Sequence, residues 1–68
     1  MLLDEAIAHA ATAGLRHLKL VVTASNNIAR SLYESRGFAR FGTDPDALYI
    51  AGRYYDEDYY VLRLSQPA

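Results

Sequence analysis

The side chains that could perform chemistry are few in this sequence of 68 residues. It contains no cysteine, which excludes thiolate catalysis, disulfide bonds and cysteine-rich zinc modules. The phosphate-binding motifs G-x-G-x-x-G and G-x-x-x-x-G-K-[ST] do not occur in it. Glu5 and His9 are one helical turn apart and could pair as metal ligands, but such a pair is more often a solvated contact. We therefore predict no metal site, and we expect His17 to be an exposed residue of a strand.

A second candidate is the run of tyrosines and acids at residues 54–60, which reads YYDEDYY. Carboxylates beside aromatic rings could bind an amine, because the ring faces attract cations and the acids neutralise them. The simpler interpretation is two strands rich in tyrosine, a residue that favours strands, with an acidic bend between them. We favour this second interpretation and keep the amine site as an alternative.

The composition limits the class of protein. Apolar residues make up 51% of the chain and charged residues 22%, a balance typical of a folded domain rather than a disordered segment. The net charge of −1 provides no attraction for nucleic acid or an anionic membrane. No apolar run approaches the roughly 18 residues of a membrane-spanning helix, and the start of the chain lacks the basic segment of a secretory signal. We expect a soluble, cytoplasmic protein with a small core.

Hydrophobic periodicity predicts two helices with a strand between them. Apolar residues recur at helical spacing over residues 2–13, and Gly14 ends this first helix. Residues 17–23 (HLKLVVT) alternate as a strand does. A second helix follows the capping residue Asn26 and ends at Gly37. Its apolar stripe consists of Ile28, Ala29, Leu32 and Tyr33.

The remainder of the chain predicts strands. Residues 38–42 form a short strand, and residues 44–46 (DPD) form a turn. A tight hairpin turns at residues 51–52. The last strand, residues 59–64, is apolar on both faces, as an interior strand is. The predicted order is α-β-α-β-β, an α/β (α+β) domain in which two helices pack on a three- to four-stranded mixed sheet.

One stretch combines several of these elements in a specific pattern. From Asn26 to Phe38 the sequence reads N-x-x-A-x-x-L-Y-E-x-x-G-F. This pattern resembles the second half of the GNAT superfamily of acetyl-CoA-dependent N-acetyltransferases. Residues 2–10 are similar to the helix after that family's pyrophosphate loop, residues 18–22 to its fifth strand and residues 52–62 to its closing hairpin. The resemblance implies the C-terminal half of a GNAT fold.

The resemblance also implies a function and a site. GNAT enzymes transfer an acetyl group from acetyl-CoA, the implied co-substrate, to an amine. Tyr33 matches the helix tyrosine that can protonate the departing thiolate, and Asn26 matches the asparagine that hydrogen-bonds the pantetheine arm. Ala29 would let the cofactor approach closely, and Arg30 lies in the same cofactor-binding segment. From the residues alone, Asn26 could be only a helix cap, and Ala29 and Tyr33 only core positions.

The sequence departs from the family pattern at its start. A full domain has more strands and helices, and a [QR]-x-x-G-x-[GA] loop that binds the cofactor pyrophosphate ahead of the first helix. Residues 1–68 contain no such loop, so we expect a single partial domain. An unpaired strand edge and bare apolar residues then predict a homodimer, or a complementing N-terminal half as partner. The alternative function is a non-catalytic GNAT remnant that acts as a dimerising or complementing subdomain.

Overall fold

The computed structural model describes residues 2–64, and their elements follow in the order expected from the sequence. The elements are helix α1 (Leu2–Thr12), strand β1 (His17–Thr23), helix α2 (Asn27–Ser35), strand β2 (Ala39–Ile50) and strand β3 (Arg53–Arg63). The predicted α-β-α-β-β order and the α+β class are confirmed. Neither helix in this part of the chain has the length and apolar run needed to cross a membrane.

The three strands form one sheet in the order β1-β3-β2, and both strand pairs are antiparallel. The central position of β3 is the interior position that its apolar character predicted. The sheet is antiparallel rather than mixed because β3 inserts between the two strands that α2 connects. β1 and β2 run in the same direction, but within residues 2–64 each pairs only with β3, which runs in the opposite direction.

Strand β2 is longer than the sequence predicted, and the predicted turn at residues 44–46 is wrong. These residues lie inside β2, where the register with β3 shifts between Asp44 and Leu48. The extra residues form a bulge, in which Asp46 has a φ of 53° and donates its backbone N–H to Asp56 Oδ1 at 2.9 Å. This hydrogen bond takes the place of a backbone hydrogen bond that the bulge interrupts. A bulge is also a position where a strand tolerates proline, here Pro45.

The acidic segment is also a continuous part of β3, so the predicted acidic bend is wrong as well. Because side chains alternate along a strand, Glu57 and Asp58 lie on opposite faces of the sheet. Asp58 is buried, with an exposed fraction of 1%, while Asp56 is exposed. The acids therefore do not form the single rim that the alternative amine site requires.

The hairpin between β2 and β3 turns at Ala51 and Gly52, as predicted. Both residues have a positive φ, 51° and 80°, as in the primed two-residue turns that match the twist of paired strands. Beside the turn, the rings of Tyr49 and Tyr54 have centroids 4.8 Å apart. Both tyrosines are exposed, so the tip of the hairpin presents a solvent-exposed pair of aromatic rings.

Both helices pack on one face of the sheet. The buried centre of this core consists of Val22, Phe38 and Tyr60. Partly buried side chains of the helices pack against it: Leu3 and Ile7 of α1, and Ala29 and Tyr33 of α2. The two helices are also joined by an ion pair in which Arg36 Nε donates to Asp4 Oδ1 at 2.7 Å. No helix covers the opposite face of the sheet in the part of the chain that the structure describes.

Candidate functional site

Asn26 lies at the junction of β1 and α2, where it caps the helix. Its side-chain Oδ1 accepts a hydrogen bond from the backbone N–H of Ala29 at 3.1 Å. This bond satisfies one of the N–H groups that a helix leaves unpaired in its first turn. The side-chain NH2 group makes no hydrogen bond to any residue of the range 2–64. The cap therefore uses the acceptor of Asn26 and leaves its donors for another group.

Ala29 and Tyr33 lie one turn apart on the side of α2 that faces the sheet. The ring of Tyr33 lies between two other aromatic rings, with centroid distances of 5.9 Å to Phe38 and 6.3 Å to Tyr60. Within residues 2–64 the Tyr33 hydroxyl forms no hydrogen bond, so its proton is not committed to a protein acceptor there. The prediction that Ile28 shares this apolar stripe is wrong. Ile28 is 85% exposed, because it lies on the solvent side of the first turn of α2.

Arg30 reaches from α2 toward β3 and joins a set of polar side chains. Its Nε donates to the Tyr60 hydroxyl at 3.3 Å, and its Nη1 donates to the backbone oxygen of Ala24 at 3.0 Å. The Tyr60 hydroxyl in turn donates to Glu34 Oε2 at 2.9 Å. The hydrogen bond with Tyr60 raises the pKa of Arg30, which keeps the guanidinium charged. Arg30 thus fixes α2 to both the end of β1 and the middle of β3.

Asp58 completes this set, which we call the polar cluster: Arg30, Glu34, Asp58 and Tyr60. Its Oδ1 accepts a hydrogen bond from Thr43 Oγ1 at 2.7 Å. Its Oδ2 is buried without a hydrogen bond and lies 3.7 Å from Arg30 Nε and 3.9 Å from Arg40 Nη1. Two guanidinium groups therefore balance a carboxylate that would otherwise be costly to bury.

The polar cluster was not predicted from the sequence, although a signal for it exists. The last strand is predicted to be apolar on both faces, and residues 60, 62 and 64 share one of them. Extending that alternation back by two residues places Asp58 on the same buried face. A carboxylate at such a position requires a cation, and arginines stand in both neighbouring elements. The predicted acidic bend instead placed Asp58 outside this alternation.

Strand β1 provides a second component of the candidate site. One edge of β1 pairs with β3 along its full length, from His17 opposite Arg63 to Thr23 opposite Glu57. Its other edge has no strand partner within residues 2–64. An open edge presents backbone N–H and C=O groups that can pair with an extended molecule containing amide groups. This edge leads directly to Asn26 at the start of α2.

The four residues that the sequence singled out thus lie in one short segment. Asn26 lies at the cap of α2 just after β1, and Ala29 and Tyr33 lie on the sheet-facing side of the same helix. Arg30 lies in the same segment, but its guanidinium is held by Tyr60 and Ala24. The arrangement offers an amide donor and a small side chain just after β1, and an uncommitted phenol one turn farther along α2.

Comparison with known proteins gives the family. The model of the acetyltransferase (GNAT) family matches residues 1–38. A search of curated proteins finds no match to the chain.

Solved structures match nearly the whole chain. The chain is similar to the ribosomal-protein-S18-alanine N-acetyltransferase from Escherichia coli, with a TM-score of 0.92 and 30% identity over 98% of this chain and 43% of that chain. The acetyltransferase of GNAT family from Streptococcus pneumoniae gives a TM-score of 0.85 and 32% identity over 94% of this chain and 38% of that one. The protein yncA from Salmonella typhimurium, solved with its cofactor acetyl-CoA, gives a TM-score of 0.89 and 25% identity over 98% and 39%.

The matched region is a part of each relative: the chain spans about two fifths of the length of the solved structures that it matches. The helix–strand–helix order, the pattern from Asn26 to Phe38 and the closing hairpin all occur in the described structure. The family model covers more than half of the 68 residues. This chain therefore belongs to the acetyltransferase (GNAT) family.

Proposed function

We propose that this chain contributes to the transfer of an acetyl group from acetyl-CoA to an amine. Acetyl-CoA, when bound, supplies a thioester whose carbonyl the amine attacks and whose thiolate leaves. The observation that carries the proposal is the state of Tyr33: its ring is fixed in the aromatic core while its hydroxyl makes no hydrogen bond within residues 2–64. A phenol in this state is a positioned, neutral proton donor. Its role in the proposed reaction is to give that proton to the leaving sulfur.

The other residues of the segment fit the binding of the same molecule. The free NH2 group of Asn26 can donate to an amide oxygen of the pantetheine arm. Ala29 presents only a methyl group one turn before Tyr33, which would let the cofactor approach α2 closely, and the open edge of β1 can pair with amide groups. Arg30, whose side chain is 31% exposed, adds positive charge at the start of α2, where an anionic cofactor is favoured.

A second candidate is a non-catalytic role, and it rests on the share of the relatives that this chain spans. Because the chain corresponds to about two fifths of those structures, it could act as a subdomain that dimerises or complements an N-terminal half. The open edge of β1 supports such association. The homodimer and the cytoplasmic location stay predictions under both candidates, and the amine acceptor stays a prediction under the first.

Calorimetric titration with acetyl-CoA separates the two candidates. We expect heat of binding with the unmodified chain and at least about tenfold weaker binding for Ala29→Leu, because a larger side chain fills the space beside Tyr33. Ala8→Leu is the matched control, since Ala8 is an exposed residue of α1. Circular dichroism of both variants checks that they are folded. Absence of heat at millimolar acetyl-CoA would contradict acetyl transfer by this chain and support the non-catalytic role.

A further inference from the structure

The face of the sheet away from the helices, which we call the open face, has an uneven distribution of charge. At one end, Lys19 of β1 and Arg63 of β3 lie beside His17. At the other end of the three-stranded part, Glu57 of β3 pairs with Asp44 of β2, and the two-stranded hairpin beyond them carries Arg53 on the same face. The register places Arg63 and Glu57 on the same face of one strand, six residues apart. At about 3.3 Å per residue, a basic end and an acidic end are therefore separated by roughly 20 Å.

Apolar and aromatic side chains occupy the middle of the open face. Val21 and Phe41 are 49% and 55% exposed, and the rings of Phe41 and Tyr59 lie with centroids 6.0 Å apart. A shallow groove of about 380 Å³ runs from Phe41 past Val61 to Arg63. Within residues 2–64 no element covers these side chains. A contiguous apolar patch with a charged rim is a common feature of protein interfaces.

The charges distinguish between two symmetric ways of packing two copies face to face. If the two-fold axis runs along the strands, basic ends meet basic ends and the arrangement is repulsive. If the axis crosses the strands, the basic end of each copy meets the acidic end of the other. In that arrangement Arg63 of each copy faces Glu57 of the other, which gives two equivalent contacts. The apolar central parts of the two open faces meet at the axis. The open face is thus complementary to itself in one orientation only.

We propose that the open face binds the open face of a second copy of this chain, with the strands of the two sheets antiparallel across the interface. The interface is small, at the lower end of the range for specific complexes, about 1,200 Å² in total. We therefore expect micromolar dissociation constants that rise with salt. This dimer differs from one formed by edge pairing of β1, which it leaves open. It does not require acetyl transfer, so a failure of the acetyl-CoA titration does not bear on it.

Two charge reversals test the proposal by sedimentation equilibrium at low salt. Arg63→Glu places an acid opposite Glu57 of the second copy, and Glu57→Arg places a base opposite Arg63 of the second copy. We expect each variant alone to dimerise about a hundredfold more weakly than the unmodified chain, since like charges then meet at both ends. An equimolar mixture of the two variants restores opposite charges at both contacts and is expected to form a heterodimer. Glu5→Arg, the same change on the helix side of the molecule, is expected to leave dimerisation unchanged.

Three results would overturn the proposal. The first is an unmodified chain that stays monomeric through the micromolar range. The second is dimerisation of both variants as strong as that of the unmodified chain, which would place the interface elsewhere, for example at the edge of β1. The third is a mixture of folded variants that does not associate. Circular dichroism of each variant establishes folding before its mass is measured.

Discussion

At the scale of single residues, two tyrosines in contact differ in the hydrogen bonds that their hydroxyl groups make. The hydroxyl of Tyr60 accepts from Arg30 and donates to Glu34, and the residue is fully buried. The hydroxyl of Tyr33 makes no hydrogen bond within residues 2–64, although its ring lies 6.3 Å from that of Tyr60. Hydrogen bonds fix the first proton within the polar cluster, while the second is not committed to an acceptor within residues 2–64. The chemical role we assign to Tyr33 depends on this difference.

Tyr33→Phe is expected to lower the rate of acetylation while leaving the affinity for acetyl-CoA nearly unchanged. The ring and its packing remain, and only the proton donor is lost, so kcat should fall by about a hundredfold with little effect on KM. The measurement is the steady-state release of free CoA in the presence of an amine that the unmodified chain acetylates. Tyr49→Phe, at the exposed tip of the hairpin, is the matched control. An unchanged kcat in Tyr33→Phe would remove Tyr33 from the mechanism.

Substitution of Asn26 separates its function as a cap from its proposed function in binding. Asn26→Asp keeps an oxygen acceptor for the N–H of Ala29 but removes the NH2 donors, so we expect unchanged stability and weaker binding of acetyl-CoA. Asn26→Ala removes both and should lower the free energy of unfolding by about 1 kcal/mol. Urea unfolding and calorimetry measure the two effects. Equal binding by the Asp variant and the unmodified chain would leave Asn26 as a cap only.

The sequence predicted Asn26 as a cap and the packing of Ala29 and Tyr33, because both follow from local spacing along one helix. It did not predict that Ile28 faces solvent, although the next residue, Ala29, packs on the core from the same turn of α2. The partners of Arg30 were also missed. Its side-chain partners, Tyr60 and Asp58, lie on β3, about thirty residues away, and only the fold brings them together.

At the scale of elements, the polar cluster determines how α2 packs on β3. Asp58→Asn removes the charge that balances Arg30 and Arg40 but retains the hydrogen bond from Thr43. We expect the free energy of unfolding to fall by about 1–2 kcal/mol, as for loss of a charge-assisted interaction. Asp56→Asn is the matched control, because Asp56 is exposed on the same strand and its amide oxygen can still accept from Asp46. Equal stabilities of the two variants in urea would show that the buried charge is not needed.

The contact between α1 and α2 is expected to make stability depend on pH. Hydrogen bonds from Arg36 hold the pKa of Asp4 below its ordinary value of 3.8. A lowered pKa in the folded state contributes stability above 3.8, and this contribution is lost as the pH falls through the folded value. Asp4→Asn should therefore be slightly less stable than the unmodified chain at neutral pH and equal to it in strong acid.

Glu5→Gln, which changes the neighbouring acid of α1, controls for the loss of a negative charge. Urea midpoints measured across the acid range provide the comparison. The ion pair is exposed, so the difference should be small and should decrease with added salt. A difference between Asp4→Asn and the unmodified chain that is the same at every pH would contradict the assignment to the Asp4 carboxylate.

The element order was predictable because each helix and the hairpin have local start and stop residues. The lengths of β2 and β3 were not, because residues 44–46 carry turn residues inside a strand. Cross-strand pairing on both sides of the bulge, together with the hydrogen bond from Asp46 to Asp56, outweighs this local preference. The antiparallel sheet follows from the position of β3 between β1 and β2, which no local pattern specifies.

At the scale of the whole molecule, this chain presents one helix-covered face and one open face of a three-stranded sheet. The helix-covered side contains the segment from Asn26 to Tyr33, which begins just after β1. The opposite side contains the basic and acidic ends that suit a second copy. The proposed acetyl-CoA binding and the proposed self-association therefore involve different surfaces and can be tested independently. Both proposals concern a chain that spans about two fifths of its solved relatives.

The most direct test is to locate acetyl-CoA on the chain by two-dimensional 1H–15N NMR during a titration. We expect the largest shift changes in the backbone amides of β1 and of residues 26–33, with the hairpin tip unchanged. Unlabelled ADP, added alone at the same concentration, controls for binding through the nucleotide only. Shift changes confined to the hairpin or the open face, or none at saturating acetyl-CoA, would contradict the acetyl-CoA site proposed here.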